Sequence, residues 1–538
     1  MRRLLIGPMV LLWGAAPPVP APLLPDASHW CGDPIEASAH PELLPGYGGG
    51  GFKVRTTSPQ AQAFFDNGMQ LAHAFAHKAA IAAFQEARRL DPACAMCAWG
   101  EAWSSGPTIN YGIEEADRKK LAEIAATAEK LAASGPANER ALIAALQLRY
   151  ANDRGNKAFA EAMDALARGN PADDELAVIA ADALMIDSDY QPSKMARPVA
   201  LLETVLKRNP DYTPAIHFYI HATELAGYPD RATPYADELA ALAPAASHLV
   251  HMPAHTYYWI GRYADAGTTN VRAVEISEEN AKRLKLPEPD GQWTLAYYSH
   301  NVSFGLAGAL MAGDAKSALA LARPLAAMAA RAGDKLETGR QGLVGKAYVA
   351  LARFAPREEL MAIADPGASK PLLQALWHYA RGEAFARAGD AEAVAREAEA
   401  IPDHLRPDPS HGWDGKLVQV SRLVLIGRVA MLQNDPGKAF KAFRKATALE
   451  EGRPLGDSND PPAWWYPVRR DMAAALLAQG KAQEAMTEAD TSLKRRPHDA
   501  VALATRAKAE EALGQTKAAE ADRADARRSW RGDVRVVG

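Results

Sequence analysis

The stretch Ala61 to Pro92 reads AQAFFDNGMQLAHAFAHKAAIAAFQEARRLDP. Its apolar and small residues fall in two groups, Phe64, Gly68 and Leu71, then Ala80, Phe84 and Ala87, each spaced by three or four residues. That spacing puts one apolar stripe on each of two successive helices. Pro92 follows the second group, and a proline cannot continue a helix because it lacks the N–H and its ring clashes with the preceding turn. In a 34-residue frame beginning at Ala61 these residues and Pro92 occupy positions 4, 8, 11, 20, 24, 27 and 32.

The same spacing returns along the chain. Pro210 and Pro244 lie 34 apart, as do Ala232 and Ala266, in a frame that begins at Thr213. Gly427, Ala439, Phe443 and Ala446 repeat the offsets of Gly68, Ala80, Phe84 and Ala87. Leu476, Ala485 and Pro497 repeat them once more, with Ala519 at a further 34 from Ala485. A 34-residue period of helix, turn and helix resembles the tetratricopeptide repeat, TPR. The resemblance runs over about residues 61 to 527. It implies an all-α protein, an α-solenoid of TPR-like hairpins stacked into a right-handed superhelix with a concave groove lined by the first helix of each hairpin.

The expected organisation is a signal segment at 1–21, a Pro/Gly-rich linker or arm at 22–60, N-terminal hairpins at 61–170, central hairpins at 171–330 and C-terminal hairpins at 331–530. Lys285 to Gln292, Ile401 to Lys416 and Gly452 to Pro462 read as inserted loops. Arg2 and Arg3 precede an apolar run, Leu4 to Ala16, and Val19-Pro20-Ala21 supplies small residues for cleavage. Thirteen residues are too few for a bilayer span, which takes about 20 in a helix. The expectation is an exported protein, periplasmic or secreted, with no membrane span after signal removal. Cys31 follows Ser28-His29-Trp30, which is not a lipid-attachment box.

Composition narrows the function further. The 538 residues carry 61 Lys plus Arg against 65 Asp plus Glu, a formal charge of −4, so no basic surplus awaits a polyanion and nucleic acid is not an expected partner. Gly48 to Gly51 follow no strand, and Gly342 to Lys346 lacks the rest of a phosphate loop, so nucleotide binding finds no motif. No Ser-His-Asp order and no H-E-x-x-H occurs.

The histidines are the chemical feature. Six of 14 lie between 217 and 300, at 217, 221, 248, 251, 255 and 300. His217 and His251 are 34 apart, and so are His221 and His255, which places each pair at equivalent slots, 5 and 9, of consecutive hairpins. Residues i and i+4 share a helix face and neighbouring helices pack about 8 to 10 Å apart, so four imidazoles are brought toward one space. His248 and, in one choice of frame, His300 fall at position 2, and Glu224 and Tyr258 at position 12. In the TPR family positions 2, 5, 9 and 12 face the groove, which implies that this set does too. Neutral imidazoles suit copper, zinc or iron, with a carboxylate such as Glu224 completing or orienting the shell. The candidate ligands are therefore His217, His221, His251 and His255 first, then His248, His300 and Glu224. Two alternatives stay open: a metal-free groove that takes a peptide or protein partner, and a redox metalloenzyme.

Cys94 and Cys97 form a C-x-x-C pair just after Pro92, readable as a disulfide, a redox pair or two soft ligands. Ala98 follows, so haem attachment has no support. Taken with LDPACAMCAWGEA (90–102), HFYIHATE (217–224), HLVHMPAH (248–255), YYSHN (297–301) and DPPAWWYPV (460–468), the chain resembles a group of bacterial TPR-containing proteins with no reaction attached to it.

Overall fold

The computed structural model describes residues 41–405 and 412–537; the expected signal segment, Cys31 and His411 lie outside them. Among the described residues the chain is helix after helix, with no strand and one isolated bridge, Asn459 to Pro462. The opening stretch folds as the helices Pro59–His73 and His77–Leu90, followed by Ala95–Ser104. Ser58 caps the first, its hydroxyl accepting from the Ala61 N–H, with Pro59 at the first helical position where no N–H is needed.

Helices pack on their chain neighbours, and several also on the helix after next: Pro59–His73 on Ala95–Ser104, Asp174–Ile186 on Thr213–Ala226, Tyr298–Ala312 on Gln341–Phe354, and Arg469–Ala478 on Ala500–Ala512. That is the contact pattern of a stacked hairpin array, an all-α solenoid. The periodic small residues are the reason the hairpins close. A Cβ at Gly68 would come within 2.8 Å of the Phe84 ring, and one at Gly100 within 2.4 Å, so two backbones sandwich a fully buried phenyl. Gly427 meets Phe443 in the same way, at 2.3 Å. The recurrent sequence offset of 16 between glycine and phenylalanine is this contact.

The array is drawn in on itself. The first hairpin reaches the central helices, where the His217 ring bonds the His73 carbonyl. Asn110 donates to the Tyr297 hydroxyl at 3.0 Å, and Tyr263 donates to the Pro497 carbonyl at 2.9 Å. Near the C-terminus the Arg531 N–H meets the Ala312 carbonyl at 2.8 Å. Residues 41–58 form an extended arm across this seam: the Ala245 N–H donates to the Gly46 carbonyl, and the Gly49 N–H to the Thr213 hydroxyl at 2.7 Å. Gly48, at φ +87°, lies so close to Thr213 that a Cβ would fall 2.2 Å from its hydroxyl. The glycine run is a close-packed backbone seam.

Two of the three expected inserted loops appear at the corresponding gaps, and the third, Ile401 to Lys416, lies partly outside the described residues. Helix Tyr263–Arg283 is followed by a 3₁₀ turn, Gly291–Thr294, before Tyr298–Ala312, and helix Pro436–Glu451 is separated from Arg469–Ala478 by the segment that carries Asp460 and the Trp464-Trp465-Tyr466 plug. All three plug rings are buried, Trp464 against Tyr379 with ring centroids 5.0 Å apart. No helix among the described residues is long and apolar enough to cross a membrane.

Candidate metal centre

Three helices and one loop supply the site. Helix Thr213–Ala226 carries His217, His221 and Glu224 on one face, opens on Pro214 and ends at Gly227 in the left-handed conformation. The next first helix is broken, Ser247–His251 and then Pro253–Trp259, because Pro253 has no N–H to carry the ladder past Met252. His248 and His251 sit before the break and His255 after it. Helix Tyr298–Ala312 brings His300, and the 452–468 loop brings Asp460.

The histidines are interior. His217 and His251 are fully buried and the other three on these two hairpins nearly so, while the His300 side chain keeps 17% exposure. The drawn-in array covers them, so they do not line an open trough.

The ligand atoms converge in two sets of three. Those of His217, His221 and His248 all lie within 4.8 Å of one another, as do those of His251, His255 and His300. A third set, Glu224, His255 and Asp460, meets the same limit. The sets adjoin, with the His221 and His255 rings 5.5 Å apart and those of His248 and His251 5.7 Å apart. The four leading histidines of the repeat register thus divide between two groups, and His248 and His300 are full members of them. Matching slots point the same way on each helix, and the pair His251–His255, across the break at Pro253, keeps nearly the ring separation of His217–His221, 4.9 against 5.0 Å.

Hydrogen bonds fix which nitrogen is free. The His217 Nδ1 lies 2.7 Å from the His73 carbonyl, which only accepts. His251 Nδ1 lies 2.7 Å from Asn270 Oδ1, whose amide is oriented by Nδ2 donating to the Ala266 carbonyl at 2.8 Å. His255 Nδ1 lies 2.8 Å from Glu224 Oε2, and Trp259 Nε1–H holds the other carboxylate oxygen at 2.6 Å. Each Nδ1 therefore carries a proton, which leaves Nε2 as a lone pair wherever the ring is neutral. Yet His251 Nε2 and His255 Nε2 are 2.9 Å apart, and His217 Nε2 and His248 Nε2 are 3.1 Å apart. His221 Nε2 and His248 Nδ1 are buried without a partner.

Burial sets the charge. It pushes His217 and His300 down to about 3 and holds His221, His248 and His251 well below the usual range, the neighbouring imidazoles adding to the effect. At His255 burial also works downward, but the Glu224 and Asp460 carboxylates overcome it and lift the ring to about 9. Burial lifts Asp460 to about 6 against the pull of His255. The interior is a nest of neutral imidazoles with His255 and its two carboxylates at one end, and those carboxylates already hold one cation, the His255 imidazolium.

Asp460, Asn270 and Trp259 were not singled out from the sequence. Asp460 opens the block DPPAWWYPV, but no periodicity connects an inserted loop to a helix 160 residues earlier. His73 is buried with Nε2 2.5 Å from Glu175 Oε1. Cys94 and Cys97, also buried, are joined by a disulfide, S–S 2.04 Å, at the start of helix Ala95–Ser104 and take no part in the histidine sets.

No protein-family model and no curated protein sequence matches the chain. Similar solved structures include the Cut9–Hcn1 tetramer of the APC/C, at 12% identity over 88% of this chain and 74% of the other, TM-score 0.26. The human IFIT1 dimer with m7Gppp-AAAA matches at 12% over 88% and 91%, TM-score 0.27. Naa15/Naa10 bound to HypK-THB matches at 12% over 86% and 70%, TM-score 0.24. Likenesses this loose tie the chain to no activity, and the site speaks for itself.

Proposed function

We propose that the protein is an exported helical-hairpin solenoid that holds two transition-metal ions, copper, zinc or iron, inside its central hairpins. The first ion is taken by His217, His221 and His248, the second by His251, His255 and His300, with Asp460 beside the second.

The observation that carries the reading is the convergence of two sets of three histidine ligand atoms, each set within 4.8 Å of one another, with His251 Nε2 and His255 Nε2 at 2.9 Å. Two ring nitrogens at that distance share a cation, a proton or a metal ion. At metal–nitrogen distances of about 2.0 to 2.1 Å, two ligands of one ion are about 2.9 Å apart at a right angle and about 3.3 Å at the tetrahedral angle. Both facing pairs are close to that range. Glu224 and Asn270 act as positioning residues, fixing the tautomer from the far nitrogen, the usual outer support of ligand histidines. Three protein nitrogens per ion leave room for a further ligand, the arrangement that distinguishes reactive from closed sites.

The test is elemental analysis of protein made without a polyhistidine tag, before and after chelation and reloading. Two rebindable ions per chain, with X-ray absorption showing nitrogen scatterers at about 2.0 Å, are the expected result. Protein that stays metal-free after reloading overturns the proposal. Export is tested by fusing residues 1–60 to a reporter that is active only outside the cytoplasm.

A further inference from the structure

Against the first histidine set lies a cleft of about 950 Å³, bordered by His77, His248, Phe75, Tyr111, Tyr190 and Tyr297. It has the size of a small-molecule site. Two independent features mark it as a built one.

The first is an imidazole with nothing to bond. Both ring nitrogens of His77 are shielded from water and have no hydrogen-bond partner. Its surroundings are rings, Phe75 at 5.1 Å and Tyr111 edge-on at 5.6 Å between centroids. An imidazole with both nitrogens buried and bare is costly, and fold stability gains nothing from it. A neutral imidazole offers one donor and one acceptor on opposite sides of the ring, and a ligand hydroxyl, which both donates and accepts, answers whichever of the two it reaches.

The second is where the backbone is strained. Among the described residues seven non-glycine residues adopt positive φ, and the Phe and Tyr members, Phe75 at 55°, Tyr190 at 56° and Tyr297 at 64°, all border this cleft. Left-handed backbone is costly for bulky side chains and collects at functional sites. Here it aims flat rings at one space. Phe75 stacks on His248 at 4.9 Å and 18°, Tyr297 covers the same imidazole at 4.4 Å, and Asn110 ties down the Tyr297 hydroxyl. Tyr190 is tied by its own hydroxyl to the Ile109 carbonyl. Charged residues bordering it have both signs in equal number, Lys78 and Arg283 against Glu114 and Asp117, so the space has no formal net charge to favour an ion.

We propose that this cleft binds a small uncharged hydroxylated aromatic molecule, of the phenol class, its ring lying among Phe75, Tyr111 and Tyr297 and its hydroxyl on His77. The site goes beyond the metal reading and does not depend on it, because His77 and the three strained rings are present whatever the histidine sets hold.

Resorcinol is the probe, since its two hydroxyls are too far apart to chelate an ion. Titration of chelator-treated full-length protein is expected to give saturable binding at one site, with toluene and cyclohexanol at least 10-fold weaker. The ring nitrogens of His77 in ¹⁵N-histidine-labelled wild-type protein are expected to shift on titration, a readout that needs no variant. His77→Phe is expected to weaken binding at least 10-fold, and His77→Gln, which keeps a donor and an acceptor, to restore most of it. Absence of saturation by the folded wild type, an unmoved His77 spectrum, or equal affinity for cyclohexanol overturns the proposal. Because the titration is run without metal, its failure is distinct from failure of the metal reading, which elemental analysis decides alone.

Discussion

His251 and His255 face each other through their Nε2 atoms at 2.9 Å while Asn270 and Glu224 hold their Nδ1 protons. Neither ring can turn its proton inward without giving up a buried hydrogen bond. His217 is fixed in the same way by the His73 carbonyl, while the facing His248, whose Nδ1 has no partner, is free to place its proton on either nitrogen. The consequence is separability. His251→Ala is expected to lower the metal content from two ions per chain to one and leave the His217 set loaded, and His217→Ala to do the reverse. Elemental analysis of the two folded variants checks this, and equal loss of both ions from either one would show a single shared site.

Glu224 touches no proposed Nε2 ligand atom, yet it orients His255 and is itself held by Trp259. Glu224→Gln should keep the fold and weaken the second ion about 10- to 100-fold, the usual cost of removing an outer carboxylate. Competition with a chelator of known affinity measures it. Trp259→Phe, which frees one carboxylate oxygen, should produce a smaller loss in the same direction.

Asp182 makes stability depend on pH away from the histidines. Its Oδ1 is buried without a partner, and burial, opposed by Arg149 and His73, pushes the carboxyl up from 3.8 to about 6. The folded protein therefore holds this proton more tightly than the unfolded chain. The stability it contributes is fully present below about pH 4, falls as the pH rises toward 6 and levels off above, since the native state binds more protons in that window. Asp182→Asn lacks this titration and should exceed the wild type by about 1 to 3 kcal/mol above pH 6, allowing for the part of the side chain that reaches solvent. Denaturant unfolding at pH 4 and pH 7 measures the difference, which should vanish at the lower pH.

The glycine–phenylalanine contacts predict overpacking. Gly100→Ala brings a methyl to 2.4 Å from Phe84, a ring with zero exposure, and should cost about 1 to 3 kcal/mol, read as a lowered thermal midpoint. Gly412→Ala, whose added methyl meets nothing, should leave the midpoint unchanged by comparison.

The 34-residue frame that begins at Ala61 was enough to specify helices, hairpins and a stacked array, because each hairpin buries its stripe against its immediate neighbours and such contacts are written locally. The same register assigned equivalent slots to His217 with His251 and to His221 with His255. It did not say how far the array curls. The seam from the 41–58 arm to the central helices, the burial of the histidines and the approach of Asp460 from an inserted loop all depend on contacts between residues more than 100 positions apart. Periodicity contains no term for these.

The sequence by itself determined the repeat unit and the helix face that each leading histidine occupies. Only the tertiary structure decided that the six imidazoles gather into two sets, because each set draws on more than one helix, His248 meeting His217 and His221, and His300 meeting His251 and His255. The aromatic cleft beside them was likewise out of reach, since Phe75, Tyr190 and Tyr297 belong to three different connections between helices and meet only when the array closes.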